Sequence, residues 1–335
     1  WMFHFTHTYT MSSGHIGVEI VTSTPAQFTA FNQPRYAEMR IDPGQVNEVL
    51  AQVGAMLRVS PESPLAGLPI RKVIFAGTSA SSAVLINYLP AHMVYRLPEL
   101  KPIYDAFLPT STGANIRQID VPMIQVPTIT EVSGAASTIR QDGDAPGDQF
   151  RVYEFAGMAH LDTRDVVAFR PDPCKFPISM FPMSTYMSVA LHHLVQWVDK
   201  GTVPPRAPRM LVDRDVTGDG SLMQLDEYGN VRGGIRNPYV DVPVMRYSVR
   251  NEGAVPPVAN AQPWVALRGE AGINQLCGLV GYQLPIPAST LKTLYKNKAD
   301  YQARIERRLA ELERQGWSLP LYHNLILGDA AKVAF

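Results

Sequence analysis

The chain has 335 residues, enough for one large α/β domain or two ordinary ones, and its 46% hydrophobic content can fill a sizeable core. Charged residues make up only 18%, and 30 Lys+Arg balance 30 Asp+Glu to a formal net charge of zero, which speaks against nucleic acid as the main partner and against an acidic tail or a polybasic membrane anchor. No run of about 18 apolar residues is present, so no transmembrane segment is expected, and two cysteines are too few for a Cys-rich metal scaffold or a small disulfide-stapled fold.

In chain order, His15 to Thr22 reads as a strand. Gln45 to Leu57 places Val46, Val49, Leu50, Val53, Met56 and Leu57 on a helical period. Arg71 to Ala76 predicts a buried strand with turn chemistry directly after it, and Ser81 to Tyr88 a helix. Tyr104 to Leu108, Met123 to Ile129 (led in by Pro122) and Gln149 to Phe155 are three further strands. Strands alternating with helices imply βαβ units and a mostly parallel sheet, the α/β class. Ser184 to Lys200 predicts a helix stopped by Gly201 and Pro204-Pro205. From Arg206 to Pro287 many Pro, Gly and turn dipeptides, such as Asp219-Gly220 and Gly229-Asn230, read as irregular loops and short hairpins. Asp300 to Gln315 is a charged amphipathic helix with Gly316 as its C-cap, its charges a solvated face. The expected organisation is a core over 1–205, a loop-rich accessory or lid segment over 206–290, and a C-terminal helix and tail over 291–335 packing on the core.

The sharpest chemical signal is Val73-Ile-Phe-Ala-Gly77-Thr78-Ser79-Ala80-Ser81-Ser82-Ala83. A hydrophobic strand runs into Gly-x-Ser-x-Ser, and a helix follows. Small residues two before and two after a serine let the backbone double back and push the hydroxyl out above the sheet. The same turn aims a helix N-terminus and the next backbone N–H at a developing oxyanion. Ser79 is the candidate nucleophile, and the N–H of Ala80 one candidate oxyanion donor. A Ser/Ala-rich loop with Ser79 as a plain N-cap is the bland alternative.

A nucleophilic serine needs a base, and the base an orienting acid, in the chain order Ser, acid, His. His4, His7 and His15 precede Ser79. His92 ends the nucleophile helix, His192 and His193 lie inside a regular helix, and His323 is near the tail. His160, in Glu154-Phe-Ala-Gly157-Met-Ala-His160-Leu-Asp162, follows a strand that Gly157 breaks, and is the candidate base. Glu131, read as ending the strand from Met123, is the candidate acid. Asp142, Asp144 and Asp148 look like solvated turn residues, Asp105 is a weaker rival, and Asp162 follows His160 too closely.

These motifs resemble the group of large serine hydrolases labelled alpha/beta hydrolase domain-containing proteins. Asn32-Gln-Pro-Arg35-Tyr36, Gly77-Thr-Ser-Ala-Ser81, Glu154 to Asp162, Trp197-Val-Asp-Lys-Gly201-Thr-Val-Pro-Pro205, Asp226 to Pro238 and Cys277-Gly-Leu-Val-Gly281 all carry the likeness, which runs from about Trp1 to Asp329. Ala80 stands where relatives more often have Gln, and Glu131 is the one carboxylate where relatives often show two. The resemblance implies an α/β-hydrolase fold and a carboxylester hydrolase acting on a small-molecule ester without a cofactor or metal. It also implies N-terminal strands earlier than Trp1, with the second oxyanion donor on the loop after one of them. An acyltransferase or peptidase with the same triad, or a binding protein on the same fold, are the alternatives.

Asp213 to Gln224 faintly echoes a calcium loop but has Gln at the twelfth position, so an Asx/Gly turn is expected. His192 and His193 are adjacent on a helix, point about 100° apart and are poorly placed to share a metal. Phe169, Phe176, Phe181 and Tyr186 are expected mainly to pack the core. Cys174 and Cys277 are either two buried thiols or, in the secreted or periplasmic setting this reading favours, one bridge.

Overall fold

A computed structural model describes residues 9–10, 12–18, 33–38, 42–135, 138–164, 172–213, 222–255 and 269–335. Among the described residues, five strands form the central sheet: β1 (Ile74–Thr78), β2 (Ala106–Thr110), β3 (Met123–Gln125), β4 (Gly143–Ala145) and β5 (Asp148–Val152). Their order is β1-β2-β3-β5-β4. β1, β2, β3 and β5 are parallel, and β4 turns back antiparallel against β5. All four parallel strands therefore end at one edge.

Both faces of the sheet are covered, so its strands are apolar on both sides. Alternation sorts the side chains. Phe107, Met123, Phe150 and Val152 meet Leu85, Tyr88 and Leu89 of α2 (Ala80–His92) and Leu50 and Ala51 of α1 (Val46–Val59). Ala106, Leu108 and Ile124 meet α4 (Met183–Lys200) through Tyr186, Met187, Ala190 and Leu194. Gly201 ends α4 in the left-handed region, as its position predicts.

The strand expected over Met123 to Ile129 stops at Gln125. Pro127 offers no N–H to continue the ladder, and Thr128 opens a helix instead, α3 (Ile129–Ala135). Glu131 consequently lies in a first helical turn and does not end a strand. No strand forms over 15–18, and 19–22 lies outside the described residues.

The stretch expected to be irregular holds more order than its composition suggests. Bridges link Met210 to Gly233, Val212 to Met223 and Leu225 to Val231. β6 (Met245–Ser248) pairs antiparallel with β7 (Tyr282–Pro285), and α5 (Gly269–Val280) runs between them. Glycines at 269, 272 and 278 weaken the helix propensity of α5, and burial of Leu276, Cys277 and Val280 against Cys174, Ile178 and Leu161 compensates. Cys174 and Cys277, 103 positions apart, are bridged, with Cα atoms 5.6 Å apart.

The chain finishes with α6 (Ala288–Leu294), α7 (Lys298–Arg314) and α8 (His323–Lys332). Asn297 caps α7 by accepting from the Asp300 N–H, and Gly316 closes it at φ +82°. Tyr301, Ile305 and Leu309 of α7 bury against Ile326 and Ala330 of α8 and Val242. Trp317 packs edge-on to Tyr153 at 5.0 Å.

Candidate active site

The site is built where β1, β2, β3 and β5 end. Ser79 follows β1 with φ +55° and ψ −118°, a backbone conformation that a residue with a Cβ rarely adopts. A Cβ on Gly77 would lie 2.5 Å from the Ser81 carbonyl oxygen, so only glycine lets the chain fold back so tightly. The turn is pinned to β2. Ser79 N–H donates to the Thr110 carbonyl at 3.0 Å, and the buried Ser82 hydroxyl lies 2.6 Å from both the Gly77 and Thr110 carbonyls while accepting from Thr110 N–H. Thr78 and Thr110 hydroxyls meet at 2.6 Å. Ala80 is the first residue of α2, where a helix leaves its N–H groups without internal partners.

His160 reaches Ser79 from the far side of the sheet edge. Its Nε2 is 2.7 Å from Ser79 Oγ, and its Nδ1 is hydrogen bonded to Glu131 Oε1. A carboxylate can only accept, so Nδ1 carries the hydrogen and Nε2 is left to accept from the serine hydroxyl. Glu131 Oε2 is held from the other side by Thr128, whose N–H and hydroxyl donate at 2.8 and 2.7 Å. Both ionisable side chains are nearly enclosed, 10% exposed for His160 and 11% for Glu131. The structure thus brings together Ser79, His160 and Glu131, and sets Ala80 beside them in sequence at the helix start.

The rival acids are occupied elsewhere. Asp105 binds Arg58 and the Val73 N–H. Asp142 takes the Val152 N–H, Asp144 pairs with Arg151 and Arg206, and Asp148 with Arg140. Asp162 caps the Arg164 and Ser184 amides. Among the other histidines, His92 meets Asp120, His192 meets Tyr9 and His193 meets Tyr153. Phe181 stacks on Tyr186 in the core and Phe176 lies against Tyr282. His4, His7, Asn32, Phe169 and residues 214–221 of the faint calcium loop lie outside the described residues. No group of three or more His, Cys, Asp or Glu among the described residues is arranged to hold a metal ion.

Sequence reasoning missed what fastens the His160 loop. Ser111, at φ +49° after β2, donates its hydroxyl to the His160 carbonyl at 3.1 Å. Ile129 N–H at the start of α3 donates to Met158 O. Phe155 bridges Ile235, and Asn237 donates its buried side-chain amide to Ala156 O at 2.7 Å. Leu161 N–H donates to Leu279 O. A Cβ on Gly157 would lie 2.8 Å from the Phe181 ring, one on Gly281 2.5 Å from Ser248 O, and one on Gly234 2.7 Å from Glu154 O. Buried Glu154 accepts from Arg209 Nε and Met210 N–H at 2.6 Å. Arg164 grips Asp329 of α8 with two bonds of 2.7 Å. The motif residues around 226–238 and 277–281 are therefore the supports of this loop, and their glycines were the available signal.

No curated protein and no solved structure matches the chain. The alpha/beta hydrolase domain family matches residues 1–327. With five mostly parallel strands under a strained strand-to-helix serine turn, the chain belongs to the alpha/beta hydrolase domain family, whose members are of hydrolase type.

Proposed function

We propose that the protein is a serine carboxylester hydrolase working through an acyl-enzyme, with Ser79 as nucleophile, His160 as base and Glu131 as the orienting acid. The observation that carries this reading is the 2.7 Å approach of His160 Nε2 to a serine hydroxyl displayed at φ +55°.

His160 Nε2 takes the Ser79 proton as Oγ attacks the ester carbonyl carbon. The carbonyl oxygen becomes an oxyanion, which the Ala80 N–H and the N-terminal end of α2 stabilise. The tetrahedral intermediate collapses by breaking the bond to the alcohol oxygen, and His160 hands its proton to that oxygen. Water then attacks the acyl-serine, its proton passing to His160. A second collapse releases the carboxylic acid and returns the proton to Ser79. Glu131 holds the ring in the Nδ1–H tautomer throughout and offsets the charge of the imidazolium. No step needs a cofactor.

The test is incubation with a fluorophosphonate probe followed by peptide mapping. Label on Ser79, abolished in Ser79→Ala, together with hydrolysis of a short-chain p-nitrophenyl ester, is the expected result. Label on another residue, or full ester hydrolysis by Ser79→Ala, overturns the assignment.

A further inference from the structure

Glu131 faces a problem that an aspartate on a strand end would not. Its longer side chain has more rotatable bonds to immobilise, and either carboxylate oxygen could turn toward the imidazole. The structure meets this with a second set of bonds on the oxygen that faces away from His160. Thr128, fully buried, sends both its backbone N–H and its hydroxyl to Glu131 Oε2. The N–H bond is the reciprocal half of a capping box, in which the third helical residue reaches back to the residue before the helix. The hydroxyl does something a capping box does not require: it gives its hydrogen to the same carboxylate oxygen. Two converging donors fix the plane of the carboxylate and leave Oε1 as the oxygen presented to Nδ1.

The position of Thr128 adds a second reason. The next amide, Ile129 N–H, donates to Met158 O in the histidine loop at 3.1 Å, and Val132 N–H donates to Thr128 O at 3.0 Å. Thr128 thus sits at the joint where the helix of the acid meets the loop of the base, and its hydroxyl bonds the Glu131 oxygen that His160 does not use.

We infer that Thr128 is a positioning residue for the Ser79–His160–Glu131 triad, its hydroxyl locking the Glu131 carboxylate in the rotamer that serves His160. This rests on the reading of those three residues as a catalytic triad. Thr128→Val keeps the size, the β-branch and the backbone N–H and removes only the hydroxyl.

The experiment is a double-mutant cycle of Thr128→Val with Glu131→Ala, with Thr128→Ser as the rescue. Initial rates on a p-nitrophenyl ester give kcat and KM, and the second-order rate of fluorophosphonate labelling replaces them where turnover is too slow. Thr128→Val lowers kcat about tenfold, the scale of losing one hydrogen bond to a charged group, with KM changed by less than about twofold. Thr128→Ser restores kcat to within about threefold. In the Glu131→Ala background the same Thr128→Val change costs less than about twofold, because the group it acts through is gone. An equal loss in both backgrounds, an unrescued Thr128→Ser, or no loss in Thr128→Val overturns the inference. If Thr128→Val does not fold, Thr128→Ala completes the same cycle. A wild-type protein that neither labels on Ser79 nor hydrolyses any ester removes the triad reading itself, an outcome distinct from an active enzyme indifferent to Thr128.

Discussion

The turn that carries Ser79 and the loop that carries His160 stand at the same sheet edge, but they are fastened in different ways. The backbone of the serine turn is held by Gly77, Ser82 and Thr110, and the bond from the Thr110 hydroxyl to the Gly77 carbonyl spans 33 positions. The histidine loop is held by Asn237, 81 positions away, by Leu279 and Gly281, and next to it by Asp329, 165 positions beyond Arg164. The geometry of Ser79 follows from how one strand enters one helix. The His160 loop is fastened from the first half by Ser111 and Ile129, but Asn237, Leu279 and Asp329 add supports from the second half of the chain. A change that loosens the second half should therefore move His160 while leaving Ser79 in its strained turn.

The largest effect tests the serine turn alone. Ser79→Gly should lower ester hydrolysis by about ten-thousand-fold or more. It should also raise stability by about 1 kcal/mol, because a glycine relieves the unusual backbone angles. Activity assays and a thermal melt check both parts, and a lower Tm would mean that the turn is not strained.

Next comes the other side of the comparison. His160→Ala should cost activity by orders of magnitude, and Glu131→Gln less, since the ring is still held but in a poorer tautomer. Steady-state rates for the two variants rank them, and the reverse ranking would remove Glu131 from its orienting role.

The disulfide separates the two regions directly. Replacing Cys174 and Cys277 by Ser should cost about 3–5 kcal/mol in chemical denaturation. Amide hydrogen exchange should quicken at 157–161, where Leu161 N–H leans on the helix of Cys277, and stay unchanged at 79–83. Equal quickening at both places would show that the two fastenings are not independent.

The smallest effect is acid sensitivity. Burial raises the Asp329 pKa, but hydrogen bonds from Arg164 and Tyr239 outweigh it and hold the carboxyl below its ordinary value. A depressed carboxyl contributes stability that is present above the unfolded value of about 3.9 and is lost as the pH falls through the folded value. Asp329→Asn should flatten the fall of Tm in that window. His193 titrates in a different one. Burial, with His192 beside it, lowers its pKa from 6.5 to about 4. The unfolded chain binds a proton that the folded one refuses between those values, so stability falls as the pH drops from 6.5 toward 4. His92 and His192, also lowered by burial, add to the same slope, so His193→Gln should shrink it without abolishing it and leave the lower window untouched.

The same contrast explains what the sequence could disclose. The serine turn was legible because its cause is local: a hydrophobic strand, small residues at 77 and 81, and a helix. Met123 to Ile129 misled because an apolar run looks the same whether it continues as a strand or breaks at Pro127, so Glu131 was expected on a strand and lies on a helix. Thr128-Ile-Thr-Glu131 carries the Thr-x-x-Glu spacing of a capping box, a helix-start signal that the surrounding apolar run masked. The helix over Gly269–Val280 was hidden by its glycines, and it packs against Cys174, Ile178 and Leu161. Gly234 and Gly281 stood out in motifs, yet their reason is a backbone from elsewhere in the chain passing within contact distance.

The long reach of the histidine loop also sets an order of events during synthesis. Contacts distant along the chain form late, and chains emerge from the ribosome N-terminus first. Every strand of the central sheet, and the serine turn with it, lies before position 153. The supports of the His160 loop at 235, 237, 279 and 281 follow much later, and Asp329 later still. A growing chain thus forms the Ser79 turn well before all the supports of the His160 loop are in place. On the proposed reading, the site is therefore completed only after the second half of the chain has been made.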